Sequence, residues 1–405
     1  MTMVDARCET TSVIAADDKA AEPPEVERIR RLVAIHGAPL LILDCEAVRR
    51  QYRALAAALP GVDLHYALKP LPHPAVVQTL QEEDAWFDLA TTGEVELVRD
   101  LGVAPERCIH THPIKRDRDI RDALEFGVSN FVVDNPGELR KFEKYAEQVE
   151  LLLRVSFRSP DAKVDLSKKF GCSPAGAREL LLMAHDLGIR IKGLSFHVGS
   201  QAADPRKHVE AIESCAALIA WNKSAGLPLL SVLDIGGGFP VEYNEDVPPI
   251  DEFCRPIRAA LAQLPQDIRV IAEPGRFIVA AAMTAVSSVM GKAQRDGRWW
   301  YYLDDGVYGS YSGQLYDHAK YPVDCLDWQG ERFPSVLAGP TCDSIDVIDE
   351  NIMLPELNEG DLVIGRMMGA YTWASATEFN FFRKAQIVTI NEYMGEACEV
   401  VPLVG

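Results

Sequence analysis

Residues 63–70 read Asp-Leu-His-Tyr-Ala-Leu-Lys-Pro. The run is apolar and strand-like, and it closes on Lys69, which the following proline biases towards an extended backbone. It is the first of eight short β-type runs, at 63–68, 85–89, 107–111, 130–133, 149–156, 191–198, 230–235 and 268–272. Between them, segments such as 74–83, 93–101, 117–126, 136–148, 175–187 and 205–225 carry apolar residues at helical spacing. Strand and helix in regular alternation predict an α/β fold with a parallel sheet. Eight repeats favour a closed (β/α)8 TIM-like barrel over an open doubly wound sheet.

Beyond Arg276 the pattern changes. Runs at 277–288, 299–303, 334–337, 361–364 and 385–390 read as strands with few helices between them, and 39–44 reads as an early strand that could join them. The expected organisation is a mobile tail over 1–24, an N-terminal segment over 25–44 packing with the β domain, a barrel over 45–280 and a C-terminal mainly β domain over 281–405.

Composition narrows the partners. The 405 residues include 41 basic and 60 acidic side chains, a net charge of −19, which argues against nucleic acid or an anionic membrane surface. Nine cysteines without C-x-x-C spacing read as reduced thiols, and neither a secretory apolar segment nor a run of membrane-spanning length is visible. A cytoplasmic protein is expected.

The active face of such a barrel lies at the C-terminal strand ends, where polar residues should gather. Lys69, Asp88, Arg154 and His197 stand at four of these tips, Asp234-Ile235-Gly236-Gly237-Gly238 at another, and Glu273-Pro274-Gly275-Arg276 at the last. A partly desolvated lysine has a lowered ammonium pKa and can attack a carbonyl cofactor. Glycines after the seventh strand together with Gly275-Arg276 after the eighth suit a phosphate, although three glycines alone can mark only a tight turn. His197 could stack on a flat ring with Ser200 reaching its phosphate. Glu273 could hold a pyridine nitrogen protonated, or form a salt bridge to Arg276 or Arg154.

These motifs, with Gly339-Pro340-Thr341-Cys342-Asp343 and Gly369-Ala370-Tyr371-Thr372, resemble those of the fold-type III pyridoxal-phosphate decarboxylases, which share their barrel with alanine racemase. The resemblance implies pyridoxal 5'-phosphate as cofactor, covalently held by Lys69, with Glu273 as its pyridinium partner and His197 against the ring. Ser200, Gly237, Gly238, Gly275, Arg276 and Tyr371 would form the phosphate set, while Asp88, Glu94 and Arg154 would tune the lysine and the ring. It further implies a homodimer with shared active sites, in which Cys342 and Asp343 of one subunit reach the cofactor of the other.

The substrate reading rests on Tyr316-Asp317-His318-Ala319 and on Cys342-Asp343, which resemble ornithine- and lysine-type members. Tyr316, Asp317 and Asp343 would bind a basic amino acid through its distal ammonium. The expected reaction converts L-ornithine to putrescine or L-lysine to cadaverine in polyamine biosynthesis, with Cys342 returning a proton to Cα. Gln201, Ser344 and Phe379-Asn380-Phe381-Phe382 depart from the common ornithine-type pattern and point towards a bacterial lysine/ornithine branch. Diaminopimelate or arginine decarboxylation, racemisation, and a non-catalytic decarboxylase-like regulatory binding protein are the alternatives. No metal is expected.

Overall fold

The structure, a computed structural model, describes residues 25–157, 169–328 and 330–391. The expected tail over 1–24 and the last residues of the expected β domain lie outside the described residues. The described residues up to Gly37 and those from Ala38 onwards are separate compact units. The described part of the first is the helix Glu25–His36, with Glu25 and Glu27 in its first turn and His36 in its last, each complementing the helix dipole.

The second unit opens with strand β1 (Leu40–Asp44) and then forms the barrel. Its strands are β2 (Val62–Ala67), β3 (Trp86–Leu89), β4 (Cys108–His110), β5 (Asn130–Val133), β6 (Glu150–Val155), β7 (Ile191–Phe196), β8 (Val232–Asp234) and β9 (Arg269–Ala272). All eight are parallel, and β9 closes on β2 with Val62 opposite Val270. Each of the eight β-type runs therefore forms a strand, with ends within two residues of those expected.

Period-two geometry then sorts the side chains. Ile109, Val132, Leu152, Val232 and Ile271 form a buried cluster inside the barrel, while Phe87, Phe131, Leu151, Leu153, Leu194 and Leu233 join the larger core around it. Two residues further along those five strands come Thr111, Asp134, Arg154, Asp234 and Glu273. The alternation that fills the barrel with aliphatic groups thus places a ring of polar groups directly above them. Gly193 keeps neighbouring strands in register: a Cβ there would lie 2.1 Å from the Val232 carbonyl oxygen.

The second domain comprises β10 (Met283–Arg295), β11 (Arg298–Leu303), β12 (Val323–Cys325), β13 (Phe333–Ala338), β14 (Val347–Leu354), β15 (Leu362–Gly365) and β16 (Gln386–Ile390). Its order is β12-β15-β10-β11-β13-β14, and β1 joins it antiparallel to β10 and parallel to β16. Residues 276–282 correct the expected strand over 277–288: Arg276–Val279 is a helical turn followed by a 3-10 turn at Ala280–Ala282, and β10 starts only at Met283. Phe277 through Ala280 are all buried, and a short, continuously buried run carries no period that separates strand from helix. The sequence pattern also passed over β12 and β14, the latter because Asp349-Glu350-Asn351 interrupts its apolar residues.

Candidate active site

Lys69 lies just beyond the end of β2 and remains accessible from the barrel mouth. Desolvation lowers its proton affinity, but Tyr371, Asp88 and Glu273 raise it by more, so the ammonium is held above its ordinary range. This reverses the expectation of a lysine lowered by burial, because Tyr371 and the carboxyls of the two neighbouring strands together outweigh the loss of water. Asp88 is buried on β3 and accepts a hydrogen bond from the hydroxyl of Thr111, just beyond β4. Its own pKa is pushed well up by burial and by Glu273. Glu94 accepts from the Ala90 amide, which ties its carboxyl to the end of the same strand.

Glu273 and Asp234 are buried carboxyls at adjacent tips. Burial pushes Glu273 well above the carboxylate range, and Asp234 raises it further. Asp234 Oδ1 accepts the Gly236 amide at 2.8 Å, whereas Oδ2 has no hydrogen-bond partner among the described residues. Two carboxyls so enclosed favour a shared proton or a cationic partner. The salt-bridge alternative for Glu273 is not the arrangement found: the Arg276 guanidinium pairs with Asp317, and the Arg154 guanidinium lies 5.6 Å from the Phe170 ring centroid.

His197 accepts the Gly199 amide on Nδ1 at 3.0 Å. Burial, Lys69 and Arg154 drive its pKa well down, so the ring is neutral with its proton on Nε2. Arg276 is buried and donates to Ser200 Oγ at 3.0 Å and to the Tyr243 hydroxyl at 2.8 Å, and its guanidinium stands 4.8 Å from the Tyr371 ring centroid. Tyr371 reaches the barrel from the β domain, its amide donating to the Pro70 carbonyl at 3.1 Å beside Lys69. Gly369 makes that approach possible, since a Cβ there would come within 1.7 Å of the Val279 carbonyl oxygen. Gly237 is equally confined, with a virtual Cβ 2.6 Å from the Glu273 carbonyl oxygen and 3.3 Å from His197 Nε2. Gly275 is packed as tightly, 2.7 Å from Pro70.

The chain thus brings together an amine, a neutral imidazole, a proton-hungry carboxyl and an arginine–serine–glycine anion seat. These groups fit the aldehyde, ring, ring nitrogen and phosphate of pyridoxal phosphate respectively. A family model described as pyridoxal-dependent decarboxylase, pyridoxal binding domain, matches residues 45–280. The chain belongs to the pyridoxal-dependent decarboxylases. A lysine/ornithine decarboxylase from Selenomonas ruminantium is 36% identical over 358 residues, covering 87% of this chain and 90% of that one. Crystal structures of a lysine/ornithine decarboxylase from Vibrio vulnificus, complexed with putrescine and with cadaverine, are 60% identical with TM-scores of 0.88, covering 92% of this chain and 99% and 100% of theirs. Antizyme inhibitor 2 of Xenopus laevis is 35% identical over 365 residues, covering 85% of this chain and 79% of its own length.

Of the remaining expected residues of this decarboxylase, Cys342 and Tyr316 are exposed, Asp343 is held by Tyr308, and Asp317 joins the Arg276 cluster. The amide and thiol of Cys342 both approach Asn380 Oδ1 at 3.4 Å. Asp343 accepts from the Tyr308 hydroxyl. Asp317 sits on Arg276, so within one chain its carboxylate faces the anion seat. Sequence reasoning missed Thr111, Tyr243, Tyr308 and Asp346, and met Asn380 only as part of the departing segment Phe379-Asn380-Phe381-Phe382. Thr111 alone carried a usable signal, standing two residues beyond inward Ile109. The others come from loops whose spacing reveals nothing about what they meet.

Proposed function

We propose that this decarboxylase acts on L-ornithine and L-lysine, releasing putrescine and cadaverine as part of polyamine formation, and does so as a cytoplasmic homodimer with shared active sites. The observation that supports this most strongly is the Cys342-Asp343 pair. It is exposed, anchored by Asn380 and Tyr308, and turned to solvent where a second subunit could receive it. A net charge of −19 favours cationic substrates, and no helix among the described residues is long and apolar enough to cross a membrane. Cys108, Cys172, Cys215, Cys254, Cys325 and Cys342 are free thiols, in keeping with a reducing compartment.

Pyridoxal phosphate supplies the electron sink conjugated to the substrate Cα. Lys69 provides the amine that holds its aldehyde carbon. Glu273, kept proton-hungry by burial and Asp234, holds the ring nitrogen, and neutral His197 covers a face of the ring without adding a competing charge. Ser200, Gly237, Gly238, Gly275, Arg276 and Tyr371 seat the phosphate, and Asp88, Glu94 and Arg154 set the charge around the lysine. When the bond from Cα to the carboxylate breaks and carbon dioxide leaves, Cys342 delivers the proton that replaces it. Asp343 pairs with the distal ammonium, with Tyr316 and Asp317 completing that end of the pocket. One methylene separates the two substrates, worth about 1 kcal/mol, so a single pocket can turn over both.

The deciding experiment measures initial rates on L-ornithine, L-lysine, L-arginine and meso-diaminopimelate side by side. Turnover of the first two well above the others is expected, and inactivity on both overturns the substrate reading. A sequestering protein without catalysis would have no need for Lys69, Glu273, Arg276 and Cys342 together. It predicts no visible-wavelength cofactor absorbance and no borohydride-fixed adduct on Lys69.

A further inference from the structure

The glycine turn after β8 has every carbonyl engaged. Gly236 O accepts the Glu273 amide at 2.8 Å and Gly238 O accepts the Ala202 amide at 2.9 Å. Gly237 O accepts from Nε2 of His208 at 3.1 Å. The amides differ. That of Gly236 donates to Asp234, while those of Gly237 and Gly238 donate to no protein acceptor among the described residues. A peptide unit is planar and trans, so each carbonyl points opposite to the N–H of the next residue. Anchoring Gly236 O therefore directs the Gly237 N–H away from Glu273, and anchoring Gly237 O directs the Gly238 N–H away from His208.

His208 is built for this one bond. It lies in the first turn of the helix Arg206–Ser224 and is fully buried. Its ring stacks on Phe239 at 5.5 Å between centroids and meets Phe253 and Phe196 edge-on at 6.0 and 6.4 Å. Among the described residues Nδ1 has no partner and the ring's one hydrogen bond is the one at Nε2, which must carry the proton to meet a carbonyl oxygen. Burial lowers its pKa to about 4, which keeps that neutral form at pH 7. A phenylalanine would fill the same aromatic box and leave the Gly237 carbonyl buried without a donor.

We propose that His208 is a positioning residue of the anion seat: by holding the Gly237 carbonyl it aims the Gly238 N–H at the cofactor phosphate. The inference rests on the reading of this turn, with Arg276 and Ser200, as the phosphate seat. Its mark is selectivity for the phosphate over the rest of the cofactor.

The test titrates apo-protein with pyridoxal phosphate and with pyridoxal, which lacks the phosphate, following absorbance. His208→Phe should weaken pyridoxal phosphate about tenfold and leave pyridoxal unchanged. His208→Gln, whose amide nitrogen can take the place of Nε2, should recover most of the affinity, whereas His208→Asn, whose donor is too short, should not. Equal weakening of both ligands, no weakening of either, or glutamine behaving like phenylalanine overturns the role. If His208→Phe fails to fold, the comparison of glutamine with asparagine decides alone. Arg276→Ala separates the two readings: it should weaken pyridoxal phosphate selectively. If it does not, the seat itself is misassigned; if it does while the His208 variants stay at parental affinity, only His208 is.

Discussion

At the scale of single residues, the least conspicuous carboxylate in the Cys342 region carries the most hydrogen bonds. Asp346 is 2% exposed, and its two oxygens accept from the Val307 amide at 2.9 Å, the Thr341 amide at 3.0 Å and the Thr341 hydroxyl at 2.7 Å. Its own amide donates to the Asp343 carbonyl at 3.1 Å. One carboxylate therefore fastens the Cys342-Asp343 loop to the loop bearing Tyr308, which in turn holds Asp343. Asp346→Ala strands the buried Val307 amide and two half-buried donors of Thr341, and should cost about 2–3 kcal/mol. Denaturant unfolding measures that loss; a change below roughly 0.5 kcal/mol would show the clamp to be dispensable. Nothing in the sequence singles out Asp346 from the other acidic residues, since the partner that makes it a clamp, Val307, lies 39 residues earlier and is brought to it only by the fold.

At the scale of elements, the legible and the illegible divide along periodicity. The barrel strands were readable because each apolar run was short, bounded by turn residues and followed by a helical pattern. Lys69, Asp88, Arg154, His197 and Glu273 were readable as candidates because a barrel presents its strand tips on one face. The helical turn Arg276–Val279 was not, since a four-residue buried run fits either state. Strand pairing adds a constraint of its own at Gly193, where β7 lies against β8 with Gly193 opposite Val232. A methyl group there would sit 2.1 Å from the Val232 carbonyl oxygen, so Gly193→Ala must push the strands apart. An overpacking cost of about 1–3 kcal/mol follows, with no direct contact to any tip residue. Thermal or denaturant unfolding of the variant checks it, and parental stability would mean that the barrel relaxes more easily than its register implies.

At the scale of the whole molecule, two tests separate assembly from internal electrostatics. If Lys69 and Cys342 act across a subunit boundary, Lys69→Ala and Cys342→Ala chains, each weak alone, should complement on mixing, because a mixed dimer rebuilds one intact site. Random exchange at equal amounts yields about a quarter of parental activity. Recovery no greater than the sum of the two separate activities would place both residues in one chain's site. The second test concerns Asp305, buried in the β domain, whose Oδ1 accepts the Gly306 and Ser310 amides at 2.9 Å. Burial raises its pKa from 3.8 to about 6. A carboxyl that binds its proton more tightly when folded contributes stability below its unfolded pKa, and that contribution is lost as the pH rises through the folded one. Asp305→Asn keeps a carbonyl oxygen for both amides and removes the titration. Its stability relative to the parent should improve by roughly 1–3 kcal/mol between pH 4 and pH 7. Unfolding curves at both values measure the difference, and an unchanged difference would place the Asp305 pKa at its ordinary value.

What the sequence by itself determined is the architecture and the set of candidate groups, because both are written in local periodicity: an apolar alternation of two along each strand, and a polar residue where each strand ends. Only the tertiary structure decided how those groups act on one another. Tyr371 from the β domain and carboxyls from the two neighbouring strands raise Lys69 where burial alone would lower it, Asp317 lies on Arg276, and the glycine turn is held from behind by a histidine more than twenty residues earlier in the chain. These are through-space interactions between distant segments, and their sign depends on distance and burial that no linear spacing encodes.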